Sequence, residues 1–263
     1  MSALTWSSRA LGASVWASAS LFGLYILGFY ALAAVSGDLV RWNRVLPELF
    51  VAGDHAANAG MGLHFLGGGL LLVLGSIQFV PALRAAMPTL HRALGVVYVL
   101  SALAAGVGGL VFIALRGCVG GWVMDVAFAG YGLAMLVAAG QTARFGIARR
   151  PQVHRAWAIR LYALAVGSWL YRMDYGFWVL LTDGLGHADG FRGWFDYVMD
   201  FWFYVPNLVV AELYLRADDA ALPGWAQAVG AAVLVACTGF VLLGSYFFAL
   251  HYWVPGILTG LGF

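Results

Sequence analysis

Residues 149–162 read RRPQVHRAWAIRLY, and this stretch sets the pattern for the chain. A basic loop leads through a proline into a long apolar segment, whose first helical turn carries His154 and Arg155. Proline is well suited to the first position of a helix, because its missing N–H would have no partner there. The stretch therefore predicts a long helix that begins with a histidine and an arginine side by side.

A second stretch repeats this opening. Residues 88–98 read PTLHRALGVVY, with His91 and Arg92 at the start of another apolar run. The following tyrosines lie at different offsets, seven residues after His91 and eight after the later histidine, so the signal for an internal repeat is weak. The two His-Arg pairs are nevertheless the feature of the sequence that most resembles a functional site, rather than polar residues placed only for contact with water.

The composition requires a lipid environment. Of 263 residues, 63% are hydrophobic and 10% are charged, with a mean hydropathy of +0.86. Soluble domains carry about 25% charged residues. The net charge of +2, with no basic stripe, argues against a nucleic-acid partner. Cys118 falls in a predicted loop and Cys237 in the middle of an apolar helix, so no disulfide is expected.

The sequence predicts an all-α, polytopic membrane helix bundle, since a spanning helix needs about 20 predominantly apolar residues. Seven stretches meet or approach this length: 14–35, 60–80, 90–115, 123–145, 154–181, 197–215 and 225–247. We expect a single membrane domain over residues 1–263, with a core bundle at about 60–216 and peripheral helices at 14–35 and 225–247. The sixth stretch contains Asp200, Pro206, Asn207 and Glu212, and is expected inside the bundle.

The arginines predict the orientation. Arg9, Arg84, Arg144, Arg149 and Arg150 fall on one side of the seven-helix arrangement, and most acidic residues on the other. Because basic residues favour the cytoplasmic side, the N-terminus is expected inside and the C-terminus outside a bacterial inner membrane. The first apolar run is longer than the core of a signal peptide, so we expect an uncleaved helix.

Polar residues inside the predicted spans are candidate functional groups, because ionisable side chains in a membrane are costly. His64 and Gln78 share one face of the second span with several glycines, and such a stripe serves either close helix packing or a slot for a flat cofactor. Arg160 needs a partner, and Glu212 is expected to pair with it or with Arg155. Near the opposite face, Arg172 is expected to meet Asp174 or Asp200.

The motifs resemble a known family. The runs GSIQFVPALR, LHRALGVVY and VHRAWAIRLYAL, with Arg172, FWFYVPN and Glu212 downstream, are similar to a bacterial multi-pass membrane family known as domain-of-unknown-function 2306. The resemblance covers roughly residues 60–212 and implies a fold and a set of marked residues, but no reaction. The layout is also distantly similar to b-type haem membrane cytochromes, although the fourth span has no histidine, only Gln141.

Three ligand hypotheses follow from the cytoplasmic-side His/Arg site. Helix N-termini and arginines favour anions, so Arg92 and Arg155 are expected to bind an anionic membrane lipid or a small anion. Alternatively, His91 and His154 are axial ligands of haem b in an electron-transfer protein, with His64 as a further candidate that lacks a second ligand. A metal site of His91, His154 and Glu212 is the third.

The alternative without any ligand is that histidine and arginine mark the membrane interface and reach towards headgroups. His55, His187 and His251 are expected to be solvated. No nucleophile elbow, phosphate-binding loop or dinucleotide turn is present in the sequence, so whether the protein is an enzyme stays open.

Overall fold

The computed structural model describes residues 2–216 and 223–263, and throughout these ranges the regular structure is helical. Its longer helices, in chain order, are α1 (Ala3–Ser36), α2 (His55–Phe79), α3 (Pro88–Arg116), α4 (Trp122–Ile147), α5 (Pro151–Ala165), α6 (Gly167–Thr182), α7 (Trp194–Trp202), α8 (Val205–Arg216) and α9 (Gly224–Leu261). Short helical turns at Leu39–Arg44 and Pro81–Ala86 lie in the connections. The described residues thus form an all-α bundle.

Six segments are long and apolar enough to cross a membrane: α1, α2, α3, α4, α7 with α8, and α9. The predicted fifth span instead forms two helices, α5 and α6, of 15 and 16 residues. Both are short, and the hydropathy of α5 is also lowered by His154, Arg155 and Arg160. The expected single helix over residues 154–181 is therefore interrupted near its middle.

The interruption lies at Val166, between α5 and α6, and the bundle compensates for it. A helix break frees main-chain carbonyls, which in a membrane need other hydrogen-bond donors. The carbonyl of Leu164 accepts from the Tyr131 hydroxyl at 3.0 Å, and that of Ala163 accepts from the Asn207 amide at 3.3 Å. Asn207, one of the polar residues of the sixth predicted span, thus stabilises the break in the fifth.

Close packing of α2 on α3 holds the centre of the bundle. A side chain at Gly67 would place its Cβ 2.5 Å from the Ser101 carbonyl oxygen and 2.7 Å from the Ala105 nitrogen. Only glycine permits this approach of two helix backbones. Asp54, just before the start of α2, forms an ion pair of 2.7 Å with Arg116 at the end of α3. The two helices are therefore antiparallel.

The first and last described helices, α1 and α9, run parallel to each other. Leu4 contacts Gly230 near their beginnings, and Tyr25 contacts Gly256 near their ends. Between these points Ser18 and Ser245 share a hydrogen bond of 2.5 Å. The stretch 14–35, expected at the periphery, supplies buried aromatic residues to the core: Phe22, Tyr25, Phe29 and Tyr30.

The sixth predicted span forms α7 and α8 and lies at the surface of the bundle, which corrects the expectation that it is enclosed. Val210 and Leu213 are 64% and 65% exposed. The polar residues lie on the opposite face, where Asp196 and Asp200 are fully buried. Polar content therefore identified the inner face of this segment, whereas its outer face is apolar and suited to lipid.

Candidate functional site

A central cavity of about 220 Å³ lies between α1, α2, α3, α4 and α6. A single water molecule needs only roughly 10–15 Å³ of such space, so the cavity can hold a much larger molecule. Most of its wall is aliphatic or aromatic, including Phe22, Phe65, Phe128 and Phe203. An apolar cavity with a few convergent polar groups is the usual form of a small-molecule site.

Arg172 on α6 supplies the positive charge of the central cavity. Its guanidinium donates to the Ser168 carbonyl oxygen at 2.7 Å and lies 4.7 Å from the centre of the Phe22 ring. The side chain is exposed, which leaves the guanidinium accessible. The partners expected from the sequence, Asp174 and Asp200, form no ion pair with Arg172 in the described structure. The charge is available to a ligand.

His64 on α2 is the second polar group on the central cavity. Its Nδ1 lies 2.9 Å from the Ala105 carbonyl oxygen, and a carbonyl can only accept, so Nδ1 carries the proton. The other ring nitrogen, Nε2, is then a free acceptor. His64 also lies within electrostatic range of Arg172. An imidazole held in one tautomer beside a guanidinium can orient a polar ligand.

Four tyrosines complete the polar lining of the central cavity, and the sequence analysis did not single them out: Tyr25, Tyr30, Tyr131 and Tyr171. Each interacts electrostatically with Arg172. Tyr30 belongs to a turn of π-helix, Leu27–Ala31, and such turns are frequent at functional sites. The aromatic spacing along α1 was visible in the sequence but resembles ordinary core packing.

The glycine stripe on α2 serves both of the purposes that the sequence left open. Gly67 packs against the backbone of α3, whereas its neighbour Gly68 lines the central cavity and has no atom within 4 Å of an added Cβ. Gly109 on α3 faces the His64 ring, 3.0 Å from Nδ1 by the same measure. Close packing and open space thus alternate along one helix.

His91 and His154 lie at the other end of the bundle and within electrostatic range of each other. We call these two residues the histidine pair. Nδ1 of His154 lies 2.8 Å from the Thr142 carbonyl oxygen, so its Nε2 is left as an acceptor. Nδ1 of His91 is buried and has no hydrogen-bond partner.

The arginines next to the histidine pair make other contacts. Arg92 is exposed and donates to the Pro88 carbonyl oxygen of its own helix at 3.3 Å. Arg155 donates to the Tyr214 hydroxyl at 3.0 Å and lies over that ring. Neither contact places a guanidinium against an imidazole, so the structure separates the arginine half of each motif from the histidine half.

Glu212 accepts a short hydrogen bond from Nε of Arg160, the first of the two partners expected for it. Arg216 approaches the second carboxylate oxygen at 3.6 Å. These two arginines hold the Glu212 carboxylate at the contact between α5 and α8. Among the residues that the structure describes, no three of histidine, cysteine, aspartate and glutamate come together as a metal site would require.

Several buried polar atoms near the basic end of the bundle have no hydrogen-bond partner. They are Nε2 of Gln78, the Tyr98 hydroxyl and Oε1 of Gln141. Tyr162, which packs with Tyr98 around Gly75, is satisfied by the Ser76 hydroxyl at 2.6 Å. Unsatisfied buried groups of this kind mark either strain or a ligand.

Two groups outside the spans show the electrostatics of the connecting segments. The Arg116 guanidinium lowers the pKa of the Asp54 carboxyl, which also caps α2 by accepting from the Ala57 nitrogen at 3.2 Å. Burial, together with Asp125, raises the pKa of the Cys118 thiol. Both cysteines are free, and Cys118 is an unreactive thiol near neutral pH.

Comparison with known proteins identifies the family. A search of curated proteins gave no match, and neither did a search of solved structures. Residues 61–215, more than half of the chain, match a family model described as a predicted membrane protein. This region contains α3 to α8 and nearly all of α2, and therefore both the histidine pair and Arg172. The chain is a member of the DUF2306 family of multi-pass membrane proteins.

Proposed function

We propose that the chain crosses a bacterial inner membrane seven times, with the N-terminus inside and the C-terminus outside. The parallel packing of α1 and α9 supports an odd number of spans, because successive spans alternate in direction and two parallel spans therefore have an odd number of spans between them. Only if α5 and α6 together form a span does α9 become the seventh. The arginine bias supports the direction.

Reporter fusions test this topology. Alkaline phosphatase fused after Phe263 is active only outside the inner membrane, whereas green fluorescent protein is fluorescent mainly inside. We expect an active phosphatase and a dark fluorescent protein at this position. The reverse result would contradict the proposed seven-span orientation.

We propose further that the protein binds an amphipathic anion, an alkyl carboxylate or alkyl phosphate, in the central cavity. The observation that carries this proposal is Arg172, an accessible guanidinium with no acidic partner in the described structure, at the edge of an apolar cavity. The charged headgroup would pair with Arg172, whereas Nε2 of His64, which can only accept, would bind a water molecule that donates its second proton to the headgroup. The alkyl chain would replace water along the aromatic wall. Both membrane lipids and free fatty acids carry this chemistry.

Calorimetry with the detergent-purified full chain tests the anion proposal. We expect octanoate to bind more tightly than octanol, which has the same chain and no charge. Arg172→Gln should lower the octanoate affinity about tenfold or more, because a charge-assisted hydrogen bond contributes about 1.5–3 kcal/mol. Arg155→Gln, at the other end of the bundle, is the matched control and should leave the affinity unchanged. Equal affinities for octanoate and octanol would contradict the proposal.

A second set of measurements distinguishes a membrane lipid from a free fatty acid as the source of the anionic headgroup. Octyl phosphate and octanoate share the chain and differ in the anion, and a phospholipid retained through purification would be detected by mass spectrometry. Retained phospholipid that is lost in Arg172→Gln would identify the ligand as lipid. Retained phospholipid that is lost only in Arg92→Ala with Arg155→Ala would instead support the anion site first expected beside the histidine pair.

The second candidate function is electron transfer by haem b at the histidine pair. It is favoured by the proximity of His91 and His154 and by the Thr142 carbonyl, which accepts from Nδ1 of His154 and so leaves Nε2 free to bind a metal. If haem binds, these imidazoles would hold its iron and the haem would supply one-electron chemistry. A reduced-minus-oxidised absorption spectrum of the purified full chain tests this. A Soret band that is lost in His91→Ala supports haem binding. If wild type purified from haem-supplied cells shows no Soret band, haem binding is excluded.

A further inference from the structure

Two carboxyl groups lie one helical turn apart on α7, and their surroundings are opposite. Asp196 is fully buried and accepts four hydrogen bonds, from the Tyr175 hydroxyl, the His187 Nδ1 and the main-chain nitrogens of Ala188 and Gly193. Asp200 is equally buried, yet neither of its oxygens has a hydrogen-bond partner. Two carboxyl groups with such different surroundings are suited to different protonation states.

The charge of Asp196 is stabilised, whereas that of Asp200 is not. Four donors fill the acceptor positions of the Asp196 carboxylate, so its ionised form is solvated by the protein. Asp200 has no donor and no cation in the described structure, and it lies near the negative Asp196. An ionised carboxyl without compensation costs several kcal/mol in such a place. These surroundings favour the neutral acid over the ionised form, so Asp200 is a carboxyl group that can take up a proton under conditions in which an exposed aspartate stays ionised.

The groups that face Asp200 come from each element packed around it. They are Asp196 on the same helix, Tyr171 on α6, and Cys118 in the connection before α4. Tyr175 and His187 act on it through Asp196, and Asp125 through Cys118. Of these groups, only the His187 imidazole can carry a positive charge. A bound metal cation is disfavoured, since it would require several free oxygen ligands.

Hydrogen bonds connect Asp196, the neighbour of Asp200 on α7, to the protein surface. His187 lies in the connection between α6 and α7, with its side chain 33% exposed, and donates to Asp196 at 2.7 Å. Tyr175 donates to the same carboxylate oxygen at 2.7 Å. A solvent-exposed imidazole next to a buried carboxylate can pass protons between water and the interior.

On the other side, Tyr171 connects the acids to the central cavity. Its ring lies 4.8 Å from that of Tyr175, centre to centre, and it lines the cavity beside Arg172. Its buried hydroxyl has no hydrogen-bond partner. Tyr171 interacts electrostatically with Asp200, Asp196 and Arg172. The negative charge of an anion bound at Arg172 would therefore act electrostatically on Asp200, because the buried surroundings have a low dielectric constant.

We propose that Asp200 is a proton-binding site coupled to the central cavity, so that the amphipathic anion binds together with one proton. This rests on the anion proposal above. When the cavity is empty, Asp200 exchanges its proton with the outer surface through Asp196 and His187. When an anion enters, its negative charge favours the neutral form of Asp200, and a proton accompanies the anion. The ligand and the proton then bind as an electrically neutral pair.

Isothermal titration of the full chain with octanoate at neutral pH, in buffers of different ionisation enthalpy, measures the protons taken up on binding. The wild type should take up a substantial fraction of one proton per octanoate. Asp200→Asn is isosteric and permanently neutral, so it should bind octanoate with no proton uptake. Asp183→Asn, a change in the exposed connection, is the matched control and should behave as wild type.

The outcomes separate the two proposals. If wild type binds octanoate without proton uptake, or if Asp200→Asn still takes up the proton, the coupling is overturned and the anion site stands. If wild type does not bind octanoate at all, the anion proposal itself fails. A pH series adds a second measure: the affinity of wild type should fall by up to about tenfold per pH unit on the alkaline side, while that of Asp200→Asn stays constant. Affinity that depends on sodium instead of pH would also overturn the proton site.

Discussion

The central cavity and the histidine pair lie towards opposite ends of the same helices, and they differ in how their polar groups are arranged. Around the cavity, one unpaired guanidinium and one imidazole face an open apolar space. At the histidine pair, polar side chains are denser, and the nearby arginines are paired elsewhere, Arg155 with Tyr214 and Arg160 with Glu212. A cluster of polar residues is therefore not by itself a binding site, whereas an accessible charge beside empty space is well suited to one.

The small residues of α2 shape the space of the central cavity. Where glycine meets the backbone of α3 the helices close together, and one residue further along the same helix a glycine faces the cavity. Close packing at one residue of α2 and open space at the next are thus both present on this helix. The following changes test whether the two regions are as separate as their contacts indicate.

The largest effect is expected from adjacent glycines on α2. Gly67→Leu would force the side chain into the backbone of α3, and we expect a loss of at least 1–3 kcal/mol of stability or a failure to fold. Gly68→Leu would project into the central cavity, so the melting temperature should stay close to that of wild type while octanoate affinity falls more than tenfold. Thermal unfolding and calorimetry in detergent provide the two measurements. Equal destabilisation by both changes would show that no open space exists at Gly68.

A smaller effect is expected from the histidines, one in each region. His64→Ala removes the acceptor that would hold a bridging water between the cavity wall and the carboxylate, and should weaken octanoate binding about fivefold, the effect of one neutral hydrogen bond. His91→Ala removes a member of the histidine pair and should leave octanoate binding unchanged. Calorimetry on both variants, with melting temperatures as a check on folding, compares the regions directly. Equal losses of affinity would mean that the two regions form one site.

The ion pair of α5 and α8 should contribute stability without affecting the central cavity. Glu212→Gln leaves Arg160 without its carboxylate, and because both side chains are partly exposed the expected loss is about 1 kcal/mol or less. Arg216→Gln, which removes the 80% exposed second partner, is the control and should be nearly neutral. The measurement is thermal unfolding, with octanoate affinity as a readout that should not move in either variant.

The smallest effect concerns pH and the pair of Asp54 with Arg116. The guanidinium lowers the pKa of Asp54 in the folded protein, so the pair stabilises the fold above the ordinary aspartate pKa, and this contribution disappears as pH falls through the lowered folded value. Asp54→Asn retains the cap of α2 but not the charge. The melting temperature of wild type should exceed that of the variant near neutral pH, and the difference should close below about pH 4. A difference that grows on acidification would contradict the assignment.

The sequence was sufficient for six of the seven predicted spans, because each of these is an apolar run whose length is fixed by the membrane. It was also sufficient to mark Arg172 and His64, since isolated polar residues in apolar helices are unusual. The break at Val166 could not be foreseen, because it depends on donors from Tyr131 and Asn207, which belong to other helices.

The central cavity could not be predicted either, because its walls come from five helices whose facing sides are decided by packing. Tyr171 lies next to Arg172 in sequence, yet nothing in the sequence shows that both face the same space as Tyr30. The helical spacing of Asp196 and Asp200 was available as a signal. It could not be interpreted without knowing that one carboxyl has four donors and the other has none.

The parallel contact between α1 and α9 has a consequence for how the protein is made. α1 packs for much of its length against a helix that is synthesised well after it, from Leu4 beside Gly230 to Tyr25 beside Gly256. Ser18 can already accept from Trp169 of α6, but its hydrogen bond with Ser245 cannot form until α9 has left the ribosome. Assembly must therefore include a late closing of this seam, and the surroundings of α1 beside the central cavity are completed only after α9 has been inserted.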